Sequence, residues 1–118
     1  MLLVSEILGN AAVVTPDAVA ATLDDRVLTF GEIESAANRI ARRLRTMGVG
    51  RGDRVLWWGE TDLDAVPVFA ALAKLGGVFA PLNARASLAE VAPVGEYAKP
   101  AFVLAFAQVY RIRRVAIT

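Results

Sequence analysis

The sequence predicts an α/β fold, on three observations. Its second half alternates short β-prone runs with helix-period segments. The connections between them are only a few residues long. The run Ala101-Phe-Val-Leu-Ala105 is apolar throughout, as buried parallel strands are. The chain has 118 residues, net charge +1, 56% hydrophobic residues and a mean hydropathy of +0.48. That length allows one small domain, and the apolar share exceeds the ~45–50% usual for a soluble domain. With no cysteine and no histidine, the chain excludes disulfide scaffolds, thiol nucleophiles, Ser-His-Asp catalysis and the His-Glu-x-x-His metal site. Near-balanced charge gives no overall bias toward nucleic acid.

Taken in order, Met1–Asn10 lacks the basic start of a signal peptide, and Glu6 interrupts its short apolar run. Thr15-Pro16-Asp17 reads as a helix start or turn leading into the first strand. Val19–Leu23 and Val27–Phe30 flank a polar Asp24-Asp25-Arg26 turn and predict a hairpin. Thr29 with Glu32 has the capping-box spacing, and Ile33, Ala36, Ala37, Ile40, Ala41 and Leu44 form one apolar stripe. A helix of about 16 residues follows from that pattern, with Arg39, Arg42, Arg43 and Arg45 on its other face or C-terminal end, and Gly48 as its stop.

Arg54–Trp58 then predicts a strand. Leu63–Leu75 predicts a second helix capped by Asp62, with Pro67 tolerated in its first turn. This helix is apolar nearly all round, which predicts burial on more than one side. Gly76-Gly77 ends it, Val78–Ala80 predicts a strand closed by Pro81, and Ser87 with Glu90 caps a shorter helix. The strand–helix–strand–helix–strand order implies a parallel sheet with right-handed crossovers. Tyr110–Thr118 reads as a further strand or a loose end. Lys74 and the Gly76-Gly77 break deny Ala65–Leu82 the ~20 apolar residues of a membrane span, so a cytoplasmic chain without a transmembrane segment is expected.

Chemistry is sparse. Gly48-x-Gly50-x-Gly52 follows a helix and precedes a strand, the reverse of the dinucleotide fingerprint, and reads as a turn. No P-loop occurs. Asp24/Asp25 and Asp62/Asp64 sit where turns and helix starts place carboxylates. Trp57 and Trp58 point to opposite faces of a strand and read as core aromatics. Arg111, Arg113 and Arg114 beside Tyr110 are weak grounds for a nucleic-acid patch. The residues by themselves reach an apolar-rich α/β unit without an active site.

The ordered series Leu28-Thr-Phe-Gly-Glu-Ile33, Ala37-Asn-Arg-Ile-Ala-Arg-Arg-Leu44, Gly48-Val49, Gly52-Asp-Arg-Val55, Phe69-Ala70, Lys74–Asn83, Arg85, Glu90 and Ala101–Ala105 goes further. It closely resembles the N-terminal part of AMP-forming adenylating enzymes, and among them acyl-CoA synthetases of the fatty-acid type. The resemblance implies a lead-in over 1–14, an incomplete adenylate-forming domain over 15–105 and a divergent tail over 106–118. It also implies a ligase chemistry that uses ATP, magnesium and coenzyme A. A carboxylate attacks the α-phosphate to give an acyl-adenylate and pyrophosphate, and the coenzyme A thiol then displaces AMP.

The family's Ser/Thr/Gly-rich phosphate loop, its Tyr-Gly-x-Thr-Glu motif, its ribose-binding aspartate and its C-terminal lysine have no counterpart here. The chain alone is therefore expected to be inactive, to bear no catalytic or metal-binding residue and to bind none of these cofactors. A truncated or frame-shifted reading frame or a split gene would yield such a chain. Asn83-Ala84-Arg85 matches the segment whose arginine, in some coenzyme A ligases of this superfamily, contacts the coenzyme's nucleotide phosphate. That implies a phosphate contact for Arg85, the alternative being a solvated loop arginine paired with a carboxylate. The expected partners are the remainder of the synthetase or a second copy associating through exposed apolar surface, and not nucleic acid. A partner-binding fragment without catalysis and an independent binding module are the other readings.

Overall fold

The computed structural model describes residues 3–59, 62–82, 85–98, 102–106 and 112–115, the last two stretches as backbone. The order of elements is α1 (Val4–Val14), β1 (Val19–Leu23), β2 (Arg26–Thr29), α2 (Phe30–Thr46), β3 (Arg54–Trp58), α3 (Ala65–Leu75), β4 (Val78–Leu82), α4 (Leu88–Ala98), β5 (Phe102–Phe106) and β6 (Ile112–Val115).

Of the two readings of Thr15-Pro16-Asp17, the turn holds and the helix start does not, because Thr15 ends helix α1 and Pro16-Asp17 turn toward β1. The Glu6 carboxylate accepts the Leu3 N–H at 3.0 Å to open α1. The Thr15 N–H and hydroxyl both donate to the Ala11 carbonyl, and Pro16 then cannot continue the ladder. Proline just inside a helix and proline just past one look alike in sequence, and α1, with Glu6 and Asn10 as its few exposed polar residues, has too narrow a polar face to separate them.

The hairpin has a tighter turn than expected. Leu23 pairs directly with Arg26, leaving Asp24-Asp25 as a two-residue connection. Asp24 takes φ 51°, a conformation aspartate tolerates better than most side chains. Arg26 therefore belongs to β2, and Phe30 opens α2 rather than ending the strand.

Helix α2 forms as its sequence demands. The Thr29 hydroxyl accepts the Glu32 N–H at 3.1 Å, and Glu32 reciprocates by accepting the Thr29 N–H at 3.2 Å. Ile33, Ala37, Ala41 and Leu44 are buried along one stripe. Gly48 stops the helix at φ 97°.

Helix α3 is buried on nearly every side, as its composition predicts. Only Phe69 among its residues is exposed, and its ring meets Phe79 edge-on at 5.8 Å. Ala70 and Ala71 of α3 pack with Ile33, Ala37 and Ala41 of α2, a seam of small side chains that lets the two backbones approach. A second cluster joins Leu44, Val49, Val55, Trp57, Val68 and Leu72. Asp62 does not cap α3. The helix begins at Ala65 after Asp64, and neither aspartate makes a side-chain cap. Pro67 at the third position has no N–H to offer, and the Ala65 and Val66 amides already donate to the carbonyls of Asp62 and Leu63.

Four strands form one sheet in the order β4-β3-β5-β6. β3 is parallel to both β4 and β5, and β6 is antiparallel to β5. Pro81 does not close β4 but lies within it, opposite Trp57. An edge strand accommodates the missing N–H. Val55 and Trp57 face the cluster that includes α3, while Leu56 between them is fully buried on the opposite face, as is Val91 of α4. The Ser87 hydroxyl accepts the Glu90 N–H at 3.3 Å, as the capping spacing predicts, and Pro93 sits inside α4 on its exposed side. Among the described residues no helix is long and apolar enough to cross a membrane.

Two outcomes are expected from denaturant unfolding. Thr29→Ala lowers stability by about 1 kcal/mol through loss of the cap. Leu72→Ala, at a fully buried site, lowers it by roughly 2–5 kcal/mol.

Candidate functional site

In open parallel sheets, ligands bind outside the carboxyl ends of the strands, where successive connections depart in opposite directions. Here the chain leaves β3 for β4 on one side and returns to β5 on the other. That switch point lies between the ends of β3 and β5, at Trp58 and Phe106. Arg85 sits on the same carboxyl side, three residues past the end of edge strand β4 and just before the cap of α4. It is exposed. Asn83 and Ala84, the other members of its motif, lie outside the described residues.

A cation holds the loop that follows β3. Arg26, from the hairpin, donates through Nη1 to Asp62 Oδ1 at 3.0 Å and through Nη2 to Asp64 Oδ1 at 3.3 Å. The planar fork of arginine suits two carboxylate acceptors at once. This explains why both aspartates turn away from helix capping. Sequence reasoning missed it because a hairpin arginine and a loop carboxylate 36 residues apart carry no shared local signal.

A second pairing was equally hidden. Lys74, the one charge on α3, donates through Nζ to Glu34 Oε1 at 2.6 Å, with both side chains about one-fifth to one-quarter exposed. A lysine inside an otherwise apolar helix is the one sequence signal for such a partner, since a half-buried ammonium needs an acceptor.

Other candidates settle into structural roles. The Gly48–Gly52 loop lies before β3, at the amino end of the sheet and away from the switch point. There the Gly52 N–H donates to Gly76 O at 2.8 Å, and Asp53 Oδ2 accepts the Gly50 N–H at 2.8 Å. Asp24 and Asp25 form the hairpin turn. Trp57 is buried, whereas Trp58 on the other face is only half-buried, so just one of the two is a core residue. Arg113 and Arg114 fall in β6, opposite Ala105 and Leu104; Tyr110 and Arg111 lie outside the described residues. Among the described residues no three acidic side chains gather as a metal site. A shallow cleft of about 450 Å³ runs between the hairpin and α2, lined among others by Asp17, Leu28, Thr29, Glu32, Ser35 and Arg39.

Comparison with known proteins gives this arrangement a context. The model of the AMP-binding enzyme family matches residues 8–117. The chain is 33% identical over 78 residues to tyrocidine synthase 2 of Brevibacillus parabrevis, covering 66% of this chain and 2% of that protein. It is 31% identical over 82 residues to 3-oxocholest-4-en-26-oate–CoA ligase of Rhodococcus rhodochrous, covering 70% of this chain and 15% of that protein. It thus spans a small fraction of the curated relatives it matches. The N-terminal domain of FACL13 from Mycobacterium tuberculosis superposes with a TM-score of 0.80 at 28% identity, over 87% of this chain and 26% of that one.

A double-mutant cycle between Arg26→Ala and Asp62→Asn should read a coupling no larger than ~1 kcal/mol that shrinks with added salt, because the pair is part-exposed.

Proposed function

The chain belongs to the AMP-binding enzyme family, and from that premise we propose that it forms the N-terminal scaffold of an acyl-CoA synthetase, with Arg85 reaching the nucleotide phosphate of coenzyme A. The observation that carries this reading is the position of Arg85. It is an exposed residue at the carboxyl side of a parallel sheet, in a chain whose relatives include a CoA ligase.

In such a ligase a carboxylate displaces pyrophosphate from ATP to form an acyl-adenylate. The thiol of coenzyme A then attacks the acyl carbon and AMP leaves. Arg85 suits the coenzyme because its fork donates two charge-assisted hydrogen bonds to a phosphate. Its part is binding and orientation, and no bond is made or broken at it. The Arg26 bridge to Asp62 and Asp64 holds the loop beyond β3 beside the same end of the sheet. The described residues offer no carboxylate set for magnesium, so no step is assigned to a metal in this segment. In this reading the 118 residues bind no ATP or magnesium and carry no ligase activity by themselves. The rest of the synthetase, whether continuous with the chain or supplied as a separate polypeptide, provides both, and the cytoplasm supplies ATP and coenzyme A. The likeness to tyrocidine synthase 2 favours a second reading, in which the same scaffold serves an enzyme of that kind.

The test is titration of the chain with coenzyme A and with dephospho-coenzyme A, followed by amide chemical shifts. Coenzyme A is expected to shift resonances around Arg85, dephospho-coenzyme A to bind about tenfold more weakly, and Arg85→Gln to erase the difference. Equal binding of the two ligands removes Arg85 from the coenzyme site. ATP–pyrophosphate exchange above blank by the purified 118 residues contradicts the inactive-scaffold reading.

A further inference from the structure

The solvent face of α2 is a concentrated cationic surface. Residues 35–52 hold Arg39, Arg42, Arg43, Arg45 and Arg51 and no acidic residue, leaving eight basic and twelve acidic residues in the rest of the chain. Arg39, Arg42 and Arg43 are related by three and four positions and share one helix face. All five arginines are exposed, and none forms a salt bridge among the described residues. Among the described residues the hydrogen bonds of Arg39 and Arg42 go to uncharged acceptors, from Arg39 Nη1 to Ser35 Oγ at 2.9 Å and from Arg42 Nε to Asn38 O at 3.3 Å.

The carboxylates nearest in sequence are engaged elsewhere. Glu32 accepts the Thr29 N–H, Glu34 holds Lys74, and Asp53 accepts the Gly50 N–H. The helix dipole accounts for Arg43 and Arg45 in the last turn but not for Arg39 and Arg42 further back, whose like charges repel those at three- and four-residue spacing.

From this we propose that the exposed face of α2 docks an acidic protein surface, its carboxylates received by Arg39, Arg42 and Arg43. Charge complementarity selects the partner's sign, and the rest of the face selects its class. Every exposed residue of α2 is polar. It therefore has no apolar side chain to enter a bilayer, as membrane-surface helices do, and no aromatic ring on which bases would stack. An arginine fork receives carboxylates in pairs without such anchors.

The test uses the 118-residue chain and a fluorescently labelled glutamate-rich peptide, followed by anisotropy. The peptide is expected to bind at low salt, to be released as salt rises, and to bind about tenfold more weakly to Arg39→Gln/Arg42→Gln/Arg43→Gln, whose helix content circular dichroism would show unchanged. Should that variant lose structure, Arg43→Gln alone replaces it, with a smaller expected loss. Absence of binding, or binding indifferent to these substitutions, overturns the proposal. So does tighter binding, at the same salt, of a single-stranded oligonucleotide or of phosphatidylserine-containing vesicles.

Discussion

The alanine seam between α2 and α3 is the constraint on which the rest of this fold depends. Ala37 and Ala41 meet Ala70 and Ala71 with almost no side chain between the backbones. Because α3 is the crossover from β3 to β4, its depth against α2 fixes where the sheet lies. Any larger residue in the seam would lever α3 outward and open the cluster of Leu44, Val55, Trp57, Val68 and Leu72 below it. The close approach also brings Glu34 and Lys74 within reach of one another across the two helices. Glu34 Oε2 is buried there without a hydrogen-bond partner among the described residues, so the pair is a cost of the geometry as much as a support for it.

The turn beyond α3 carries the same constraint to the end of the sheet. Gly76 ends the helix in the left-handed region at φ 73°. A side chain at Gly77 would stand 3.0 Å from Leu72 Cδ2 and 3.3 Å from the Asp53 carbonyl. The same carbonyl accepts the Val78 N–H at 2.7 Å, which sets the start of β4 against the start of β3. Helix packing, glycine turn and strand register are thus one continuous arrangement, and the carboxyl ends of the strands inherit their alignment from it.

How legible this was depended on the range of the signal. Thr29 and Glu32 lie three residues apart and announce the start of α2 through bonds they make to each other. The apolar stripe from Ile33 to Leu44 likewise repeats within the helix it predicts. Features decided by distant partners were silent. Asp62 reads as a cap until Arg26 arrives from the hairpin, and α1 reads as a lead-in because only Glu6 and Asn10 mark an outer side in Val4–Val14. At the candidate site, Arg85 was visible only through a resemblance. A single exposed arginine after a strand has no periodicity and no neighbour that would mark it, whereas its placement at the carboxyl side follows at once from the strand directions.

Pro81 has a consequence for how such an apolar chain meets its neighbours. A sheet border grows into aggregates when a second strand finds an uninterrupted row of donors and acceptors along it. With proline as the fourth of five residues in this border strand, that row is short by one donor and the ring obstructs close lateral approach. Growth by strand addition is disfavoured at this border, and exposed apolar side chains lie elsewhere, among them Ile7 and Val14 on α1 and Val19 and Val27 on the hairpin. Contacts through the α1 side chains bury apolar surface without templating a further strand.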